Sequence, residues 1–182
     1  NDMKKNGKLK KNTAVGTVMT NMGFSKFCEA NGIDFVSTKV GDRYVLESML
    51  QNGYNIGGEQ SGHIIFLDHS TTGDGELSGA MLLSIMKRTG EKLSDLAKIM
   101  ERYPQVLINV KVSNEGKLSF YTDKEVKAEI NRVTEILGDT GRILVRVSGT
   151  EPLVRVMLEG ENLEQIQTLA EEAAQVVRER LA

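Results

Sequence analysis

Apolar and polar positions follow two regimes along this chain. In the first regime, β-branched apolar runs alternate with stretches at helical spacing. Thr13 to Met19 and Ile33 to Thr38 read as buried strands, and Met22 to Ala30 reads as a helix stopped by Asn31-Gly32. Asp42 is placed as the N-cap of a helix running through Leu50 and closed by Asn52-Gly53. Tyr54 to Gly57 and His63 to Leu67 read as short strands around the loop Gly58-Glu59-Gln60-Ser61-Gly62. From Asp74 to Lys87 the residues Leu77, Met81, Leu82, Ile85 and Met86 keep a helical period, ended by Thr89-Gly90. Strand and helix in alternation predict a layered α/β unit with at least partly parallel strands.

The second regime begins between Arg88 and Tyr103. Leu93, Leu96, Ala97 and Met100 predict one short amphipathic helix, which Tyr103-Pro104 interrupts. Val106 to Ser113 alternates Val106, Ile108, Val110 and Val112 against Leu107, Asn109 and Lys111, which is strand period. Thr122-Asp123-Lys124-Glu125 fits a capping box, opening a helix striped by Val126, Ile130, Val133 and Leu137. Arg142 to Val147 and Leu153 to Glu159 predict strands joined by Ser148-Gly149-Thr150-Glu151-Pro152. Asn162 caps a last helix whose Leu163, Ile166, Leu169, Ala170, Ala173, Val177 and Leu181 face inward. Strand–helix–strand–strand–helix makes a small α+β layer.

Composition narrows the function classes. The 182 residues are 40% hydrophobic, enough for one domain or two small ones. With 23 basic and 25 acidic side chains the net charge is −2, which argues against nucleic-acid binding by bulk charge. The basic run Lys4, Lys5, Lys8, Lys10 and Lys11 has no interleaved aromatic residue and reads as a solvated helix end and turn. The single cysteine, Cys28, excludes an internal disulfide and a Cys-based zinc cluster, and its helix-like surroundings favour a small core residue over a nucleophile. No apolar run approaches the roughly 18 to 20 residues of a membrane span, and no signal-peptide segment opens the chain. These features predict a soluble cytoplasmic protein. The opening Asn1 to Gly7 reads as the tail of a helix whose beginning is missing, so a fragment is expected.

Four segments carry candidate chemistry. Arg146 and Arg155 flank the turn from Ser148 to Pro152, where two hydroxyls, a glycine backbone and two guanidinium forks suit a phosphate dianion. A polar hairpin with exposed arginines is the alternative. Gly57-Gly58-Glu59-Gln60-Ser61-Gly62-His63 lacks dinucleotide or P-loop spacing, yet Glu59, Gln60, Ser61 and His63 can all hydrogen-bond sugar hydroxyls. From these residues alone, a plain connecting turn with a surface histidine is the favoured reading. In Thr38 to Arg43, Lys39 and Arg43 can meet an anion at a helix N-terminus, or Asp42 merely caps that helix. The loop Asp68 to Gly75 holds His69 without the ligand set of a zinc site or the spacing of a calcium loop, so Thr72 or Asp74 reads as a helix cap.

Taken in order, Thr38-Lys39-Val40-Gly41-Asp42-Arg43-Tyr44-Val45, the Gly57–His63 loop, Thr71-Thr72-Gly73-Asp74-Gly75 and the Arg146–Arg155 segment form a specific set. By them the chain resembles the C-terminal part of the bacterial phosphoglucosamine mutases, within the α-D-phosphohexomutase superfamily. The resemblance runs nearly end to end through the chain but covers less than half of the family's full protein. It implies a three-layer α/β third domain with a mixed sheet, truncated at its N-terminal edge, over residues 1–90. A hinge helix over 91–102 would follow, and then a small α+β fourth domain over 103–182, with a mainly antiparallel sheet packed by two helices. The implied activity of the full-length enzyme is interconversion of glucosamine 6-phosphate and glucosamine 1-phosphate, through a phosphoserine and a bisphosphorylated sugar, towards UDP-N-acetylglucosamine and the cell wall.

By the same resemblance, Glu59, Ser61 and His63 would hold the sugar. Arg146, Ser148, Gly149, Thr150 and Arg155 would grip the phosphate that is not reacting, and Lys39, Gly41, Asp42 and Arg43 would line the cleft. His63 and Lys39 are candidate assisting groups. The phosphorylated serine loop and the magnesium loop belong to earlier domains, and no Ser-His-Asn or Asp-Gly-Asp-x-Asp run exists here. The chain alone is therefore expected to bind Mg2+ through no residue of its own and to be inactive. Its partners would be an amino-sugar phosphate and the preceding domains, with no nucleic acid or membrane, and the resemblance is compatible with a homodimer of the full-length protein. Val147 stands where the family has proline, which would loosen the turn. A phosphomannomutase/phosphoglucomutase sibling, or a non-catalytic sugar-phosphate-binding module, are the other readings.

Overall fold

The computed structural model describes residues 1–182, which divide into two compact units, Asn1–Arg102 and Tyr103–Ala182. The first unit runs α1 (Asp2–Lys5), β1 (Thr13–Thr17), α2 (Met22–Ala30), β2 (Asp34–Thr38), α3 (Asp42–Asn52), β3 (Ile56–Gly58), β4 (Ile64–Phe66), α4 (Gly75–Thr89) and α5 (Leu93–Leu96). Its mixed sheet has the order β2-β1-β3-β4, with β1 parallel to both neighbours and β4 antiparallel to β3. The β1-α2-β2 crossover moves outward and β2-α3-β3 moves back, so right-handedness puts the two helices on opposite faces, giving three layers. Val15, Val45, Met49 and Ile65 form the buried centre.

Sequence signals set most boundaries. Asn21 and Asp74 accept from Gly23 and Leu77 amides as caps, and Gly53 and Gly90 close α3 and α4 in the left-handed conformation. Asp42 is not the cap of α3. Gly41 holds that position with φ 131°, a conformation open to glycine, and Asp42 starts the helix itself. The helix expected from Leu93 to Met100 closes after one turn at Leu96; it has no side-chain cap, and Leu93 and Ile99 are exposed. Along α4 the apolar residues are half-buried or exposed and none is fully covered.

The basic N-terminal run is more than a solvated surface. Lys4 Nζ donates to the Asn31 and Gly32 carbonyls at 2.6 Å each, at the C-terminal end of α2. Asn55, 1% exposed, accepts from the Lys10 amide at 3.0 Å and donates to Lys8 O at 2.9 Å and Asp68 Oδ2 at 2.6 Å. Lys10 Nζ also meets Asp68 Oδ1 at 2.5 Å. Cys28 is 1% exposed, and burial pushes its thiol above the ordinary range, as a core residue requires.

The second unit runs β5 (Gln105–Lys111), α6 (Asn114–Ser119), α7 (Lys124–Leu137), β6 (Gly141–Val147), β7 (Leu153–Gly160) and α8 (Leu163–Leu181). Its sheet is antiparallel in the order β5-β7-β6. Val154, Val156 and Leu158 of the central strand join Val126, Val133 and Leu137 of α7 and Ile166, Ala170, Ala173, Ala174 and Val177 of α8 in one core. Arg142 and the fully buried Glu159 face each other in register and pair at 2.8 Å. Val147 packs on the core and keeps its ladder position opposite Val154.

Two local readings change here. Ser113 caps the additional short helix α6, which Gly116 hides from a propensity reading. The cap of α7 is Asp123, not Thr122, whose hydroxyl donates to Ser119 O instead. The Asp123 carboxylate accepts from the Val126 amide at 2.9 Å and from Arg180 at 3.0 Å, and these bonds, the amide's first, hold it below the usual carboxylate range. A lowered folded value means stability that is present above about pH 4, the unfolded value, and lost as pH falls further. Asp123→Ala is expected to cost about 1–2 kcal/mol at pH 7. In urea unfolding the gap to the parent chain narrows at pH 3; an equal gap at both pH values would contradict the assignment.

Candidate functional site

The candidate residues fall into two groups, one on each unit. In the first unit β2 and β3 flank β1 and run parallel to it, so the turn after β2 and the loop after β3 emerge at the same end of the sheet. The Gly41 amide donates to Glu59 Oε1 at 2.8 Å and joins the two. Within the loop, the Glu59 amide donates to His63 O at 2.9 Å and the Gly62 amide to Glu59 O at 3.1 Å. Ser61 Oγ lies 3.4 Å from Glu59 Oε2 and 3.2 Å from His63 Nδ1. Glu59, Ser61 and His63 thus form one contiguous polar patch, with acceptor and donor groups suited to hydroxyls.

Tyr44, which the sequence reading left without a role, organises the cations beside this loop. Its hydroxyl accepts from Arg43 Nη2 at 2.6 Å, while the Arg43 guanidinium and Lys39 Nζ stand 4.5 and 5.9 Å from the ring centroid. Asp42 Oδ1 accepts from the Arg43 amide at 2.9 Å. The only signal in the sequence was an aromatic residue in the first turn of the helix, directly after Arg43 and five positions after Lys39. A separate cavity of about 380 Å3 opens among Asp2, Asn55, Asp68, His69 and Arg88, and contains none of the candidate residues.

The second group sits on β6, β7 and their turn. Arg146 and Arg155 are directly opposite in the ladder, on the face alternate to the core valines. Like charges in such a pair repel, and burial first, with the Arg155 charge second, lowers the affinity of Arg146 for its proton. The Nε atoms of both arginines are buried without a hydrogen-bond partner. Arg155 Nη2 meets Glu151 Oε2 at 2.8 Å. Unsatisfied buried donors on two facing cations cost stability unless an anion completes them.

The turn is ordered by its own bonds. The Ser148 amide donates to Leu153 O at 2.8 Å, and the Ser148 hydroxyl, in a residue 3% exposed, accepts from the Glu151 amide at 3.3 Å. Gly149 and Thr150 are exposed, and a side chain at Gly149 would meet nothing, so its backbone is open to approach. Lys117 of α6 donates to Glu151 O at 3.0 Å, a support missed because α6 itself was missed. The arrangement can take a tetrahedral dianion between two guanidinium groups and the 149–150 amides.

No three His, Cys, Asp or Glu side chains come together in the chain as a metal site. No helix is long and apolar enough to cross a membrane.

Residues 1–103 match the phosphoglucomutase/phosphomannomutase alpha/beta/alpha domain III, and residues 107–176 match the C-terminal domain of the same family. The chain is 54% identical over 180 residues to the phosphoglucosamine mutase of Caldanaerobacter subterraneus subsp. tengcongensis, covering 99% of this chain and 40% of that protein. It is 52% identical over 181 residues to that of Clostridioides difficile, covering 100% of this chain and 40% of that protein. Among solved structures, the Aspergillus fumigatus N-acetylphosphoglucosamine mutase shares the fold with a TM-score of 0.81 at 19% identity, over 96% of this chain and 39% of that one. A second structure of that fungal enzyme, in complex with GlcNAc-6P and magnesium, has a TM-score of 0.77 at 16% identity, over 99% of this chain and 41% of that one. The chain spans about 40% of the length of the curated relatives it matches.

Proposed function

This chain belongs to the phosphoglucomutase/phosphomannomutase family, and from that premise we propose that it is the sugar- and phosphate-holding part of a phosphoglucosamine mutase. The observation that carries the reading is the pair of facing arginines, Arg146 and Arg155, whose buried Nε donors lack partners beside an open turn. Arg146, Arg155 and the Gly149 and Thr150 amides take the non-reacting phosphate, and Ser148 keeps the turn in shape. Glu59, Ser61 and His63 take the sugar hydroxyls, with Lys39, Gly41, Asp42 and Arg43 alongside and His63 and Lys39 as assisting groups. Similarity to relatives named phosphoglucosamine mutase at 52–54% identity supports glucosamine phosphate over glucose or mannose phosphate as substrate.

A grip built from charge and backbone amides, rather than from a pocket shaped to one ring, holds a phosphate at either end of the sugar. That property suits a reaction whose bisphosphorylated intermediate must turn over before returning a phosphoryl group. Positioning and electrostatics dominate phosphoryl transfer, so these residues act by holding the substrate still. The phosphoserine, and the Mg2+ that neutralises charge at the transferring group, are assigned to parts of the complete protein outside this chain. The fungal relative's complex with GlcNAc-6P and magnesium supports the use of magnesium by the complete protein. Residues 91–102 are assigned as the connection between domains of 1–90 and 103–182, and the reaction is placed in the cytoplasm, where sugar phosphates are held.

The test compares the complete protein with the chain alone. The complete protein is expected to turn over glucosamine 6-phosphate with a higher kcat/KM than glucose 6-phosphate, and residues 1–182 alone to show no turnover. A preference for glucose 6-phosphate would assign the sibling activity instead. Turnover by the isolated chain would overturn the placement of the nucleophile elsewhere.

A further inference from the structure

The carboxylate of Glu151 lies inside the phosphate grip itself. Its Oε2 stands 2.8 Å from Arg155 Nη2, so a protein anion already occupies one fork. The Glu151 backbone is held three ways: its amide donates to Ser148 Oγ at 3.3 Å, and its carbonyl accepts from Leu153 at 2.9 Å and Lys117 at 3.0 Å. The side chain is 52% exposed, against 30% for Arg155. A pinned backbone carrying a half-exposed carboxylate can change rotamer without disturbing the turn. Across the ladder Arg146 has no carboxylate in this role, and its buried Nε remains unpaired.

We propose that Glu151 is a built-in competitor, its carboxylate occupying Arg155 when the grip is empty and swinging out when a phosphate enters. The inference rests on the reading of this turn as a phosphate site. A phosphate has to displace the Glu151–Arg155 pair and then share the region with a displaced negative charge. Both effects weaken binding, and re-formation of the pair favours release. An exposed ion pair of this kind is weak, so the competition tunes affinity and does not block the site. For a grip that must let go of one phosphate and take another during turnover, moderate affinity is an advantage.

Inorganic phosphate is the probe, titrated into 15N-labelled residues 1–182 at pH 7.5 while the amides of Ser148 to Thr150 are followed. Glu151→Gln keeps the backbone bonds and removes the charge, and is expected to tighten binding about fivefold, roughly 1 kcal/mol. Glu115→Gln on α6 removes the same charge away from Arg155, and is expected to change affinity less than twofold. Equal tightening by both variants would reduce the effect to net charge and overturn the inference. An unchanged or weaker Glu151→Gln, with binding still lost in Arg155→Ala, would overturn the competitor role and leave the phosphate site standing. No saturable shift in the parent chain or any variant would overturn the phosphate site and the competitor together.

Discussion

Arg155→Ala is expected to lower the affinity for phosphate about a hundredfold, near 3 kcal/mol, and to abolish the shifts at Ser148 to Thr150 at millimolar ligand. The size follows from what is lost: one of two forks around a dianion, with charge-assisted bonds worth more than neutral ones. Folding stability should respond differently. Removing Arg155 ends its repulsion of Arg146 and frees an exposed Glu151 partner whose ion pair is worth at most about 1 kcal/mol. Urea unfolding of the variant should therefore stay within about 1 kcal/mol of the parent. A large stability loss together with the binding loss would identify Arg155 as structural, and unchanged binding would remove the site assignment.

Gly116→Ala is expected to have a large structural effect, at about 3 kcal/mol or more of lost stability. A Cβ at Gly116 would lie 1.9 Å from Leu181 O and 2.8 Å from Leu181 C, which is backbone and cannot rotate away. Either α6 or the end of α8 must shift. That shift breaks the Ser113 amide to Leu181 O bond at 3.1 Å, and loosens Lys117 from Glu151 O. For a unit of this size the melting transition should fall by roughly 10 °C or more, read by calorimetry. Melting within 2 °C of the parent, at about the precision of the measurement, would mean that α6 adapts at little cost. The same variant should bind phosphate more weakly even where it remains folded, because Lys117 supports the turn.

Those two residues also mark what the sequence made legible. Arg155 was visible because a short turn between two strand-period segments puts its flanking residues side by side, which is local geometry. Gly116 was not, because its reason is a backbone 65 positions away, and a glycine four residues into a polar stretch argues against helix in isolation. The helix opened by Asp74 and closed by Gly90 was read well, since those signals act within one turn. The Asp42 reading failed at the same level: an acidic residue at a helix start serves either as cap or as first residue, and only the φ of Gly41 decides. The α5 reading failed because spacing alone does not supply a partner for an apolar stripe. The Gly41–Glu59 bond arises from strand order, and the Tyr44 stacking from side-chain rotamers at a helix start, neither of which periodicity encodes.

Strand β7 carries two demands at once. Val154, Val156 and Leu158 face the core while Arg155 projects from the opposite surface, and the ladder with β6 sets Arg155 against Arg146. A single residue inserted between Pro152 and Val154 would turn this strand over, taking its valines off the core face and turning a guanidinium towards the core. Length in this strand is thus a constraint of its own, separate from composition. Conservative point changes on β7 leave its chemistry readable, but an insertion or deletion of one codon there removes fold and phosphate grip in the same event.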